Sequence, residues 1–155
     1  CKRQRLKNQR LDMNRLVAPL LLLSSVMTMI AAPAMAAPLK LVDAHIHYSH
    51  DAWTNLPPEK AVAVLRNAGL LHAFVSSSSD EGTQKLYAQA LDFIVPVLRP
   101  YRARGETSTW MHDESVVGML TELLDKHRYA GIGEFHAFGD DMNLPVLQAV
   151  IRLAK

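Results

Sequence analysis

The sequence holds a single cysteine, Cys1, with no second to pair with it. Disulfide frameworks, zinc ribbons and redox dithiols are thereby excluded. No glycine-rich phosphate turn follows the first apolar strand, which removes the usual signature of a doubly wound nucleotide fold. Low-complexity segments and tight internal repeats are also absent. An excess of positive charge is missing as well, once the chain is read in parts. The whole has 17 Lys+Arg against 15 Asp+Glu, but residues 1–36 carry six of the basic side chains and one acidic one, Asp12. That leaves 11 against 14, a net charge of −3, for residues 37–155. Nothing in that balance points to a nucleic-acid partner.

What is present begins with a leader. Residues 13–36, MNRLVAPLLLLSSVMTMIAAPAMA, combine Arg15 near the start, an apolar run over 16–32, and a small-x-small exit at Ala34-Met35-Ala36. That layout predicts a secretory signal peptide cleaved after Ala36, so the membrane is met only during export to a periplasmic or secreted location. An uncleaved anchor is the alternative, and Pro33 with the A-x-A site favours cleavage. Residues 1–12 precede Met13 and receive no function. The expected domains are therefore 1–36, a basic segment plus leader, and 37–155.

Beyond the leader, apolar stretches of strand length alternate with helical patterns. Strands are predicted at 39–49, 70–76, 93–98 and 129–134, the third weakened by Pro96. Helices are predicted over 58–68, with Gly69 as its stop, and over 83–92, with Thr83 as cap. Two more are predicted at 113–126, capped by Asp113, and at 143–153. This β-α-β-α-β-α-β-α order belongs to a parallel sheet covered by helices. The α/β class leaves two architectures, an open doubly wound sheet and a (β/α)8 barrel. Polar groups at the strand exits favour the barrel. A full barrel runs to ~250 residues, whereas 37–155 spans 119. The expectation is thus the first four β/α units of a TIM-like barrel, truncated.

Residues 39–49, LKLVDAHIHYS, read as one buried strand and carry the strongest chemical signal. Strand side chains alternate, so Asp43, His45 and His47 share one face while Val42, Ala44 and Ile46 share the other. Two imidazoles about 7 Å apart along a strand can converge on one divalent ion. In residues 131–136, GIGEFH, Ile132, Glu134 and His136 alternate onto one face in the same way. A carboxylate at the end of a buried strand needs a partner, which a metal or an arginine such as Arg99 or Arg128 would supply. His136 joins the candidate ligands, with a hydrogen bond to the site as its alternative role. The loop after the third strand offers Arg99, Arg102 and Trp110 for recognition of a small-molecule substrate. Arginines there suit a carboxylate or phosphate. A solvated charged loop is the blander reading.

V-D-A-H-I-H at the first strand together with G-I-G-E-F-H at the fourth resembles the amidohydrolase superfamily of metal-dependent (β/α)8 barrels. The branch it is most similar to is the one called amidohydrolase-related, or TIM-barrel metal-dependent hydrolases. The resemblance spans 39–155. It implies that His45 and His47 ligate metal and that Glu134 bridges or ligates, with one or two divalent ions, zinc foremost. The implied reaction is hydrolysis of an amide, ester or related bond by metal-activated water. Later strands of the family supply further histidines and an aspartate that handles the water proton. These have no counterpart here, so no general acid or base is assigned and the fragment is expected to be inactive. Related barrels that cleave phosphoesters or decarboxylate acids are the enzymatic alternatives. A non-catalytic half-barrel that binds a metal or self-associates is the other.

Overall fold

The strand at the centre of the sheet is Leu70–Val75, and the rest of the fold is placed by what flanks it. A computed structural model describes residues 39–155. The predicted leader and the segment before it lie outside the described residues. In chain order the elements are β1 (Leu41–Ile46), α1 (His50–Trp53), α2 (Pro58–Asn67), β2 (Leu70–Val75), α3 (Asp80–Gln89), β3 (Ile94–Pro96), α4 (Ser115–Lys126) and α5 (Pro145–Leu153). Short 3-10 turns fall at Glu106–Ser108, Trp110–His112 and Gly139–Asn143. The sheet has three strands in the order β1-β2-β3, and both pairings are parallel. The chain is therefore mixed α/β, with parallel strands joined by helical crossovers, as the alternating pattern predicts.

Ala73 and Val75 in β2 are wholly buried, which suits a strand flanked on both sides. α2 opens on Pro58, whose fixed φ suits a first helical turn. It is followed by Gly69 at a φ of 83°, a left-handed turn that lets the chain reverse into β2. α3 begins three residues before the predicted cap. Asp80 and Glu81 fill its first turn, where negative charge suits the helix dipole. Thr83 is instead buried inside the helix, its hydroxyl accepting the Ser77 N–H at 2.9 Å. α4 starts at Ser115, and the expected capping residue Asp113 accepts the Ser115 N–H at 3.0 Å. α5 starts at Pro145 rather than Asn143, because residues 139–143 are already spent in a 3-10 turn.

Two expectations about strands need correction. β1 is not buried: Leu41 and Val42 are each 48% exposed, since the strand has a neighbour on one side only among the described residues. Its register against β2 is also interrupted twice, so the alternation of faces is not clean. Nor do residues 129–134 form a strand. They make one parallel bridge, Leu98 to Ile132, framed by hydrogen bonds from Leu98 N to the Gly131 carbonyl (2.9 Å) and from Gly133 N to the Leu98 carbonyl (2.8 Å). Glycine inside a strand brings no side chain to pack and loses the most backbone freedom, and two of the four central positions are glycine.

Burial divides into two apolar clusters. One surrounds β2 and includes Tyr48, Val62, Val75, Leu86, Phe93 and Ile94. The other is built from Leu98, Trp110, Val116, Leu120, Leu147 and Val150, joining α4 to α5. Among the described residues no helix is long and apolar enough to cross a membrane.

Candidate metal centre

The last hydrogen bond between β1 and its neighbour places the two histidines. Ser76 N donates to the Ile46 carbonyl at 2.9 Å, which pins the backbone between His45 and His47 beside the loop leaving β2. Tyr48 N then donates to Ser77 Oγ at 3.0 Å, so the chain is held on both sides of His47. The rings meet edge to face, with centroids 4.6 Å apart and the two Nε2 atoms 2.9 Å apart.

His47 has its other nitrogen, Nδ1, against the Ser76 carbonyl oxygen. A carbonyl only accepts, so Nδ1 carries the proton and Nε2 is left as a lone pair. Arg99 Nη1 also stands 3.5 Å from Nδ1, but both would be donors there, and the carbonyl contact is the closer one. Fixing one imidazole nitrogen on a carbonyl is the arrangement that orients a metal-binding histidine.

Glu134 arrives from the opposite segment. The Leu98–Ile132 bridge sets its position two residues further on, next to Arg99. Its Oε2 lies 2.6 Å from His45 Nε2 and 3.2 Å from His47 Nε2. One ligand atom from each of the three residues therefore falls within 4.8 Å of the other two. Two imidazole nitrogens and a carboxylate oxygen form a donor set suited to zinc and similar divalent ions. The His45–His47–Glu134 cluster could hold such an ion, and the donor chemistry fits. The arrangement also brings together the two motifs that the sequence singles out.

His136 stands beside this group and outside it. Tyr101 OH accepts the His136 backbone N–H at 2.7 Å and lies 2.9 Å from His136 Nδ1. The His136 Nε2 lies 4.0 Å from Glu134 Oε1. The cluster of three ligand atoms is formed by His45, His47 and Glu134, and His136 is not one of them. Burial raises the Tyr101 pKa above the ordinary phenol range, the bond from His136 N and the Arg99 charge only partly opposing it.

The three residues expected to read substrate separate. Arg102 is committed within the protein: it pairs with Glu106 at 2.8 Å and Asp113 at 2.7 Å, and donates to Ser115 Oγ at 3.0 Å. Trp110 is completely buried, and its indole N–H donates to the His136 carbonyl at 3.1 Å. A ring with no exposed surface has no face for a substrate, so Trp110 belongs to the core. Arg99 does reach the centre, but from the inside, bonding Glu134 and Ser78. Sequence reasoning missed Ser76, the last residue of the second predicted strand, and Ser78 just beyond it. Nothing in their spacing marks a carbonyl or hydroxyl aimed at the site.

A cavity of about 370 Å³ opens beside His47, lined also by Ser49, Asp51, Arg99, Arg104 and Thr107. Arg104 crosses to Asp51 at 2.9 Å, joining the loop after β3 to α1. No family model matches the chain, and no curated protein and no solved structure shows significant similarity to it.

Proposed function

We propose that this chain carries the metal-binding part of a hydrolase of amidohydrolase type, built on the first units of a (β/α)8 barrel and exported behind the leader at 13–36. The observation that carries the reading is the convergence of His45 and His47 with Glu134 from a distant segment of the chain. Parallel strands with polar side chains at their C-terminal ends support the barrel, since barrel enzymes keep their chemistry there. His47 presents a lone pair because the Ser76 carbonyl holds its other nitrogen. Glu134 supplies the anionic ligand and, through Arg99, is tied to the strand exit after β3. The cavity beside His47 has room for a small molecule next to these ligands. These three residues would hold a divalent ion, zinc by the donor set, which would supply Lewis acidity and lower the pKa of a bound water towards ~7 for hydrolysis of an amide or ester.

The test is metal content. The full chain, loaded with zinc and desalted, is expected to retain the metal, and the variant His45→Ala with His47→Ala to lose it. Equal metal in both proteins, measured by elemental analysis at matched folding, would remove the basis of the proposal.

A further inference from the structure

We infer that Arg99 is a positioning residue for the His45–His47–Glu134 centre, rather than the substrate anchor its place in the sequence suggests. The inference rests on the metal-binding reading above. The Arg99 side chain is 10% exposed, a burial that a guanidinium tolerates only when its charge and donors are met. Its charge and three of its five N–H groups are met by the site itself. Nε donates to the Glu134 carbonyl at 3.2 Å, Nη2 to Glu134 Oε2 at 3.4 Å, and Nη1 to Ser78 Oγ at 3.3 Å. The guanidinium lies over the Tyr101 ring at 4.6 Å, which fixes its plane.

Arg99 thus grips the backbone and side chain of one ligand residue. It also touches the loop whose Ser76 carbonyl orients a second. Glu134 sits in a segment with no strand ladder of its own, so this grip replaces the constraint a fourth strand would give. All three nitrogens of the guanidinium point at protein acceptors. Three of its five N–H groups and much of its charge are thereby committed to the centre.

Two effects oppose each other. A buried cation repels a divalent ion, which predicts tighter zinc when Arg99 is removed. A carboxylate left without its anchor predicts weaker zinc. The contact to Oε2 at 3.4 Å is longer than those from the two histidines, so the guanidinium holds the carboxylate without capturing the ligating oxygen. Positioning should therefore win.

The experiment uses the full chain with Arg99→Gln and Arg99→Lys, each checked for folding by circular dichroism. Zinc affinity is read by competition with a chromogenic chelator, and coordination by the visible spectrum of the cobalt form. Arg99→Gln is expected to weaken zinc ~10- to 100-fold, the usual cost of losing a residue that orients a ligand, and to shift the cobalt bands. Arg99→Lys keeps the charge without the planar fork and should recover only part of the affinity. If Arg99→Gln does not fold, Arg99→Lys decides alone through the same two readouts. Equal or tighter zinc with an unchanged cobalt spectrum overturns the inference while leaving the metal reading intact. Failure of the unaltered chain to bind zinc removes the metal reading first.

Discussion

Asp113 and Asp80 show how two carboxylates in one small fold respond to acid in opposite ways. Hydrogen bonds from the Ser115 side chain first, and from Arg102 next, lower the Asp113 pKa to about 2. Its folded value lies below that of an unfolded aspartate, ~3.9, so its contribution to stability is present above the unfolded value. It is lost as pH falls towards the folded one. Asp80 is the reverse. Burial raises its pKa, and the hydrogen bond from Tyr129 (2.7 Å) does not cancel the effect. It therefore favours the fold most at acid pH, and that contribution is lost as pH rises through its folded value. For Asp113→Asn, the loss in melting temperature relative to the unaltered chain should shrink between pH 5 and pH 2. A constant difference across that range would count against the Asp113 assignment. At this scale the sequence was informative where chemistry dictates spacing. The H-x-H pair and Glu134 converge, whereas Arg102 and Trp110 could not be told from site residues: spacing does not say that Arg102 spends its charge on Glu106 and Asp113, and the burial of Trp110 depends on distant segments.

Between elements, α3 comes very close to the turn after β1. A Cβ added at Gly82 would run into the Tyr48 carbonyl oxygen and lie 3.1 Å from Ser77 Cβ. Gly82→Ala should therefore push α3 away from the segment that holds His47, at a cost of about 1–3 kcal/mol for overpacking. Urea unfolding measures the loss, and a variant as stable as the parent would show that the turn yields freely. The helices were the readable elements. Apolar residues at helical spacing, such as Val116 and Leu120 in α4 or Val146, Leu147 and Val150 in α5, are buried as their periodicity requires. Strands were harder. The alternation in β1 is plain in the sequence, but its exposure follows from its place at the sheet edge, which no local pattern encodes. The segment at 129–134 has the composition of a strand end and glycines that keep it from becoming one.

For the folded unit as a whole, the outstanding surface feature is the edge formed by β1. Leu39, Leu41, Val42 and, on β2, Leu71 are exposed apolar side chains along or near it. Among the described residues nothing pairs with that edge, and an edge of this kind with apolar side chains invites strand pairing between copies. We expect the chain to elute from size exclusion as larger species with increasing concentration, and Leu41→Lys to reduce them. A monomer at every concentration would show that the edge is adequately protected. The same topology gives the candidate centre a further property. The stretch of chain from His47 to Glu134 contains β2, β3 and the helices α1 to α4. An ion shared by those two residues would act as a reversible staple closing that long loop, and the entropy saved in the unfolded ensemble grows with loop length. Chelation and folding then become a single linked equilibrium. Zinc would raise the melting temperature with its free concentration, and a chelator would loosen most of the parallel sheet along with the site.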